Sequence, residues 1–265
     1  KPLRARDVDD FLKSLDPSAR GDHSPDGLIW GGLDTEIRAV GATWMASLPV
    51  QKTAVAKGIN LVVTHEPTFW FHGTPRRTEL QLCEKNEVDI AFKTQFLAQH
   101  GIVVIRAHNC WDLYPKYGIE ASLQAALDLP DPAEYLGGYH HLYKIPRTTL
   151  EDLALHCKAK VGLPSVRVSG DLAKRVERLV MAYGSSSSTA GYYRFWKSGA
   201  DAVFSGEQSE WSTVRPAIDM GMGVIELGHS NTEAFGMEGM ARLLREHFPG
   251  LRVEHLAAGD SFQYV

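Results

Sequence analysis

The feature that most constrains this chain is a fourfold recurrence of one short pattern, an apolar run that ends in an imidazole or a carboxylate. Leu61-Val62-Val63 precedes His65 and Glu66, Val103-Val104-Ile105 precedes His108 and Asp112, Val203-Phe204 precedes Glu207 and Glu210, and Val224-Ile225 precedes His229 and Glu233. Continuous apolar runs of this length fit strands covered on both faces. The stretches between them space apolar residues at helical intervals, so strand, helix and strand succeed one another as in a parallel sheet. The expected fold class is therefore α/β, with polar groups gathered at the carboxyl ends of strands, where open α/β sheets bind ligands.

Periodicity and turn chemistry place the other elements. The first half predicts helices over residues 6–15, 49–57, 80–100 and 121–127, with strands over 38–45, 59–64 and 102–107. The second half predicts a helix over 149–161 opened by a Thr-x-x-Asp cap and flanked by strands, then strands over 176–182, 202–204 and 224–227. Helices around 192–197 and over 232–247 and a last strand over 251–255 complete the pattern. The segment Gly58 to Glu66 echoes Gly199 to Glu207, and Ile102 to His108 echoes Gly223 to His229. Two similar lobes, 1–134 and 135–265, each with a β-α-β plan, follow from that echo, although β-α-β stretches resemble one another even without duplication.

A chain of 265 residues can bury a core in each lobe without disulfides. Cys83, Cys110 and Cys157 are an odd, scattered set, which points to a reducing, cytoplasmic setting and supplies no thiolate cage. Lys and Arg number 28 against 32 Asp and Glu, a net charge of −4 without blocks, which argues against nucleic acid and anionic membranes as partners. No apolar run reaches the length of a membrane span, and the first residues lack the apolar stretch of a secretory signal.

Imidazole and carboxylate delivered together suit zinc, manganese or iron. His65 by itself reads more readily as a hydrogen-bonded core histidine, but four such segments in one chain favour metal ligation. With a final helix beginning near Asn231, His229 and Glu233 turn toward one point. His108 and Glu207 are candidates either to orient a ligand or to act as general base. Neighbouring His140 and His141 point to opposite faces of a strand and read as surface or interface residues. The run Gly184 to Ser188 reads as a strand-to-helix turn or an anion cradle, and Phe69, Trp70 and Phe71 as subunit packing or a pocket wall. A plain dinucleotide-binding domain is disfavoured, because no Gly-x-Gly-x-x-Gly follows the first strand.

Taken in order, Thr64-His65-Glu66-Pro67, Ala107-His108-Asn109-Cys110-Trp111-Asp112, Ser205-Gly206-Glu207-Gln208-Ser209-Glu210 and Gly228-His229-Ser230-Asn231-Thr232-Glu233 resemble the successive motifs of the Nif-three-like, or YbgI-type, family. Asp26 to Gly31 resembles that family's opening motif and Val180 to Ser187 its Gly/Ser loop, so the likeness spans nearly the whole chain. The resemblance implies a two-lobed fold with a dinuclear metal centre between the lobes, two divalent ions per chain, and commonly a homohexamer. It implies His65, Asp112, His229 and Glu233 as ligands, with Glu233 as the bridging carboxylate. One position departs: the family's second histidine is Glu66 here, which either ligates as a harder donor or turns away. The implied function is a metal-dependent hydrolase of a nucleotide- or phosphate-like small molecule, similar to GTP cyclohydrolase I type 2; the rival is a metal-binding scaffold or regulatory protein without turnover.

Overall fold

The computed structural model describes residues 2–265. In chain order the elements are α1 (Ala5–Ser14), β1 (Gly27–Trp30), β2 (Ala39–Met45), α2 (Leu48–Ala56), β3 (Leu61–Glu66), α3 (Glu79–Lys85), α4 (Ala91–Gln99), β4 (Val103–Arg106), α5 (Ile119–Ala126), β5 (Glu134–Gly137) and β6 (His140–Thr149). There follow α6 (Leu150–Val161), β7 (Arg167–Ser169), β8 (Arg175–Ala182), α7 (Thr189–Lys197), β9 (Ala202–Ser205), α8 (Arg215–Asp219), β10 (Gly223–Glu226), α9 (His229–His247) and β11 (Arg252–His255). Among the described residues no helix is long and apolar enough to cross a membrane.

Contacts divide the chain into two units, one running to Ala121 and including Gly236–Ala258, the other comprising Ser122–Phe235 and Gly259–Val265. The sheet of the first unit has the order β1-β4-β3-β2-β11, with β4, β3, β2 and β11 parallel and β1 antiparallel to β4. That of the second has the order β5-β6-β8-β9-β10-β7, with β8, β9 and β10 parallel and β5, β6 and β7 antiparallel to their neighbours. Each sheet thus contains three successive parallel strands closed by an antiparallel strand beside the third, β2-β3-β4 with β1 and β8-β9-β10 with β7. The echo read from the sequence is a repeat of this arrangement.

Burial explains the uninterrupted apolar runs. Leu61, Val62, Val63 and Thr64 are all fully buried, and so are Ala202, Val203, Phe204 and Ser205. Val62 and Val104 pack with Val50, Ala54, Leu97 and Phe69 in the first unit, while Val180, Val203 and Val224 pack with Tyr192 and Phe195 in the second. A buried Val or Leu side chain of this kind contributes about 1.5–3 kcal/mol over leaving it exposed.

Four expectations need correction. The helix expected over 80–100 is two helices, because Asn86 caps α3 and Glu87 takes a left-handed backbone with φ 56° before α4 begins. β3 continues through Glu66, so His65 and Glu66 belong to the strand itself; and α9 starts at His229 rather than after it. Phe69 is neither a pocket wall nor a subunit contact: it is fully buried in the first core, whereas Trp70 is half exposed.

The segment after β3 is fastened by charges inside the first unit. Glu79 Oε2 accepts from the Phe69 N–H at 2.8 Å, and the Lys93 ammonium donates to the carbonyl of Thr68; both side chains are buried. Burial pushes the Glu79 carboxyl up to about 7 against the hydrogen bond from Phe69 and the charges of Arg106 and Lys93, and burial brings Lys93 down to about 8. Because the folded-state pKa of Glu79 lies above its ordinary value of 4.5, the folded state retains a proton that the unfolded chain releases between those pH values. The contribution of Glu79 to stability is therefore fullest below pH 4.5 and is lost as pH rises toward 7, a range over which Lys93 is charged in both states. We predict that the melting temperature of Glu79→Gln gains on that of wild type by about 3 °C or more from about pH 5 to about pH 7.5, as read by thermal denaturation. A constant difference would show that Glu79 does not titrate in this window.

Candidate metal centre

In the first unit β3 and β4 lie side by side with Thr64 opposite Arg106, so the residues that leave the two strands emerge together. His65 is fully buried, and its Nδ1 lies 3.0 Å from the carbonyl of Ala107. A carbonyl only accepts, so Nδ1 carries the proton and Nε2 presents its lone pair. That Nε2 is 3.6 Å from Asp112 Oδ1. The His108 ring stacks on His65 at 4.5 Å between centroids, with Nδ1 3.2 Å from Asp112 Oδ2 and Nε2 3.6 Å from Glu66 Oε1. Single donor atoms of His65, Glu66 and His108 all lie within 4.8 Å of one another, a separation that one ion can span. Burial disfavours the His108 imidazolium, yet Asp112 and Glu66 outweigh it and hold the pKa up at about 9, so a proton sits within this anionic cluster at neutral pH.

Two buried groups brace that cluster. The Asp26 carboxylate, just ahead of β1, accepts from the N–H groups of His108 and Cys110 and from the Ser24 hydroxyl. Arg106, at the end of β4, donates from Nε to the His65 carbonyl at 2.8 Å and from a terminal nitrogen to His72 Nδ1 at 3.2 Å. Burial and the neighbouring Arg106 lower the His72 pKa to about 4, so that ring is neutral at neutral pH.

The second unit builds a matching set. His229 and Glu233, four residues apart on the first turn of α9, face each other with Nε2 3.2 Å from Oε2, and Glu233 is buried. The other ring nitrogen, Nδ1, lies 2.9 Å from Glu207 Oε2 in the loop after β9. Above them passes the Gly184 turn, at φ 61°; a Cβ on Gly184 would come within 2.1 Å of Glu233 Oε1 and 3.2 Å of His229 Nε2. The Gly184 N–H donates to the Thr232 hydroxyl at 3.0 Å, which in turn donates to the His229 carbonyl. Glycine is required here by close approach as well as by backbone conformation. Glu210, by contrast, is exposed and pairs at 3.9 Å with Arg215, away from this set.

These donors fit a divalent ion of the zinc, manganese or iron type. Imidazole nitrogens meet buried carboxylates, a combination such ions take at about 2.0–2.2 Å. No thiolate competes, because burial, followed by Asp26, drives the Cys110 thiol well above its ordinary range. Glu207 on Nδ1 fixes the His229 ring, the arrangement by which a carboxylate orients a histidine and strengthens its other nitrogen as a donor.

The model of the Duf34/NIF3 (NGG1p interacting factor 3) family matches residues 3–260. The chain belongs to that family. Curated relatives named GTP cyclohydrolase 1 type 2 homolog include one from Allochromatium vinosum, 26% identical over 251 residues covering 91% of this chain and 92% of the relative. Another, from Methanocaldococcus jannaschii, is 26% identical over 242 residues covering 89% and 92%. Among solved structures, a Staphylococcus aureus hypothetical protein superposes with a TM-score of 0.81 at 21% identity, and a Bacillus cereus protein related to NIF3 with 0.81 at 15%, both over 100% of each chain. The protein ybgI gives 0.79 at 21% over 98% of this chain and 100% of its own. At these identities the structures establish the fold.

Within this Duf34/NIF3 chain the sequence reading missed Arg106, His72 and the brace role of Asp26. Arg106 carried a signal, since an arginine inside the apolar run from Ile102 to Ala107 has to be paired. His72 carried none. His140 needs correction: it is buried rather than superficial, with Nε2 3.2 Å from the Ser186 hydroxyl, and so steadies the Gly184 to Ser188 turn. That turn leads into α7, whose N-cap is Ser188.

Replacing Gly184 by alanine is predicted to push Glu233 off its present position while leaving the sheet intact. Divalent-ion affinity, measured by calorimetric titration, should fall about tenfold or more with an unchanged circular-dichroism spectrum. An affinity equal to that of wild type would show that the turn does not set the carboxylate.

Proposed function

We propose that the chain binds two divalent ions, zinc, manganese or iron, through His65, Glu66 and Asp112 of the first unit and His229 and Glu233 of the second. On this reading it acts as a hydrolase on a nucleotide- or phosphate-like small molecule. The observation that carries the proposal is the same in both units: a histidine beyond a buried apolar run, at the end of β3 or at the start of α9, directs Nε2 at a buried carboxylate, His65 to Asp112 at 3.6 Å and His229 to Glu233 at 3.2 Å. The name shared by the curated relatives, GTP cyclohydrolase 1 type 2 homolog, supports a nucleotide-like substrate.

Divalent ions in such a set supply Lewis-acid chemistry, lowering the pKa of a coordinated water and steadying negative charge on a phosphoryl or carbonyl oxygen. The protein's own groups do the rest. Ala107 and Glu207 orient the two histidines. Glu207 is 64% exposed at its side chain and stands beside His229, which suits it to take a proton from a reacting water. His108, between Asp112 and Glu66, is the second proton-handling group of the proposal. Three buried free cysteines accord with a reducing, cytoplasmic setting, and the resemblance in motif order favours a homohexamer, which light scattering would read directly.

Elemental analysis of protein purified without chelator or affinity-tag metal should return up to two ions per chain, and Asp112→Asn or Glu233→Gln should each remove at least half. Against a panel of nucleotides and phosphate esters, hydrolysis should vanish on chelation and return on reloading. Glu207→Gln should keep its metal and lose about a hundredfold in turnover. A metal content near zero sinks the metal reading, an unchanged rate in Glu207→Gln removes its proton-transfer role, and ions bound without turnover on any substrate favour the scaffold role.

A further inference from the structure

Glu66 is the position where this chain departs from the histidine pair that the resemblance implies, and the structure shows what accompanies the change. Its Oε1 faces His108 Nε2 at 3.6 Å, and its Oε2 lies 3.7 Å from a terminal nitrogen of Arg106. Arg106 is a fixed feature of the interior. The side chain is fully buried, its Nε is bonded to the carbonyl of His65, and its other terminal nitrogen stands 4.0 Å from Glu79 Oε1. An arginine in such a place keeps its charge, and its planar fork cannot swing aside without abandoning three anchoring groups. A second cation that approached Glu66 would share the carboxylate with this guanidinium and be repelled by it, in an interior where such repulsion is poorly screened.

We propose that Arg106 is a resident cation that performs part of the charge balancing of a divalent ion at Glu66, so that the ion position served by Glu66 is the weak, exchangeable one of the centre. The inference rests on the metal reading above and deepens it by ranking the positions. His65 and Asp112 hold the tight ion, and the Glu66 position fills only at higher concentration, preferring an ion that accepts a hard oxygen donor, such as manganese. Glu79 sets how far Arg106 leans toward Glu66: with both carboxylates present the guanidinium is divided between them, and without Glu79 its charge falls on Glu66 alone.

The test is calorimetric titration of chelator-stripped full chain with manganese chloride alone at pH 8, where Glu79 is ionised. Wild type should bind a first equivalent at least tenfold more tightly than any second. Arg106→Gln should strengthen the second equivalent at least tenfold, and Glu79→Gln should weaken it threefold or more, the opposite direction. Because Arg106→Gln empties a buried site and can fail to fold, the Glu79→Gln result decides alone in that event. Two equally tight ions in wild type, or a second equivalent unmoved in the folded variants, overturns the proposal while leaving the metal reading in place. No binding to any of the proteins overturns both.

Discussion

The 3.0 Å hydrogen bond from His65 Nδ1 to the carbonyl of Ala107 is the interaction on which the chemistry of the first unit depends. It ties an imidazole at the end of β3 to the backbone that leaves β4, and in doing so decides which ring nitrogen keeps a lone pair. Parallel pairing supplies the rest of the geometry, since Thr64 and Arg106 are opposite one another and their successors emerge side by side. A parallel sheet collects all its carboxyl ends at one edge. The second unit reaches the same result by other means: a carboxylate, Glu207, holds His229 Nδ1, and the first turn of α9 brings Glu233 to Nε2.

Such sites are costly to fold. Asp112 and Glu233 are buried carboxylates, and burying a charge is tolerated when another charge or a cation answers it. The first unit contains its own answers. His108 carries a proton between Asp112 and Glu66, and Arg106 sits between Glu66 and Glu79. A cluster arranged in this way is charge-balanced without an ion, and on the proposed metal reading it would give up the His108 proton to admit one. The same charges fasten the segment after β3, where Glu79 and Lys93 hold Phe69 and Thr68.

Much of this was legible in the sequence because burial leaves a mark there. The runs Leu61 to Val63 and Val203-Phe204 announce strands covered on both faces; after the first, His65 and Glu66 gather with His108, and after the second, Glu207 meets His229. The Thr149 cap of α6 was readable for the same reason, a local hydrogen bond from the Asp152 N–H to a side chain. What escaped depends on contacts between residues distant in sequence. Asp26 grips His108 from more than eighty positions away, and Arg106 meets Glu79 only because the segment after β3 folds back. The break between α3 and α4 escaped because it rests on a left-handed Glu87, a conformation its residue type does not advertise. His140 looked superficial because its partner Ser186 belongs to another strand's loop.

The central claim is that His65 and Asp112 hold a divalent ion at the end of β3. Anomalous-scattering difference maps from manganese-loaded crystals address it directly. The account predicts a peak about 2.0–2.3 Å from His65 Nε2 and from a carboxylate oxygen of Asp112. A map in which manganese occupies only surface carboxylates, with His65 still turned to Asp112 and no density between them, would contradict it.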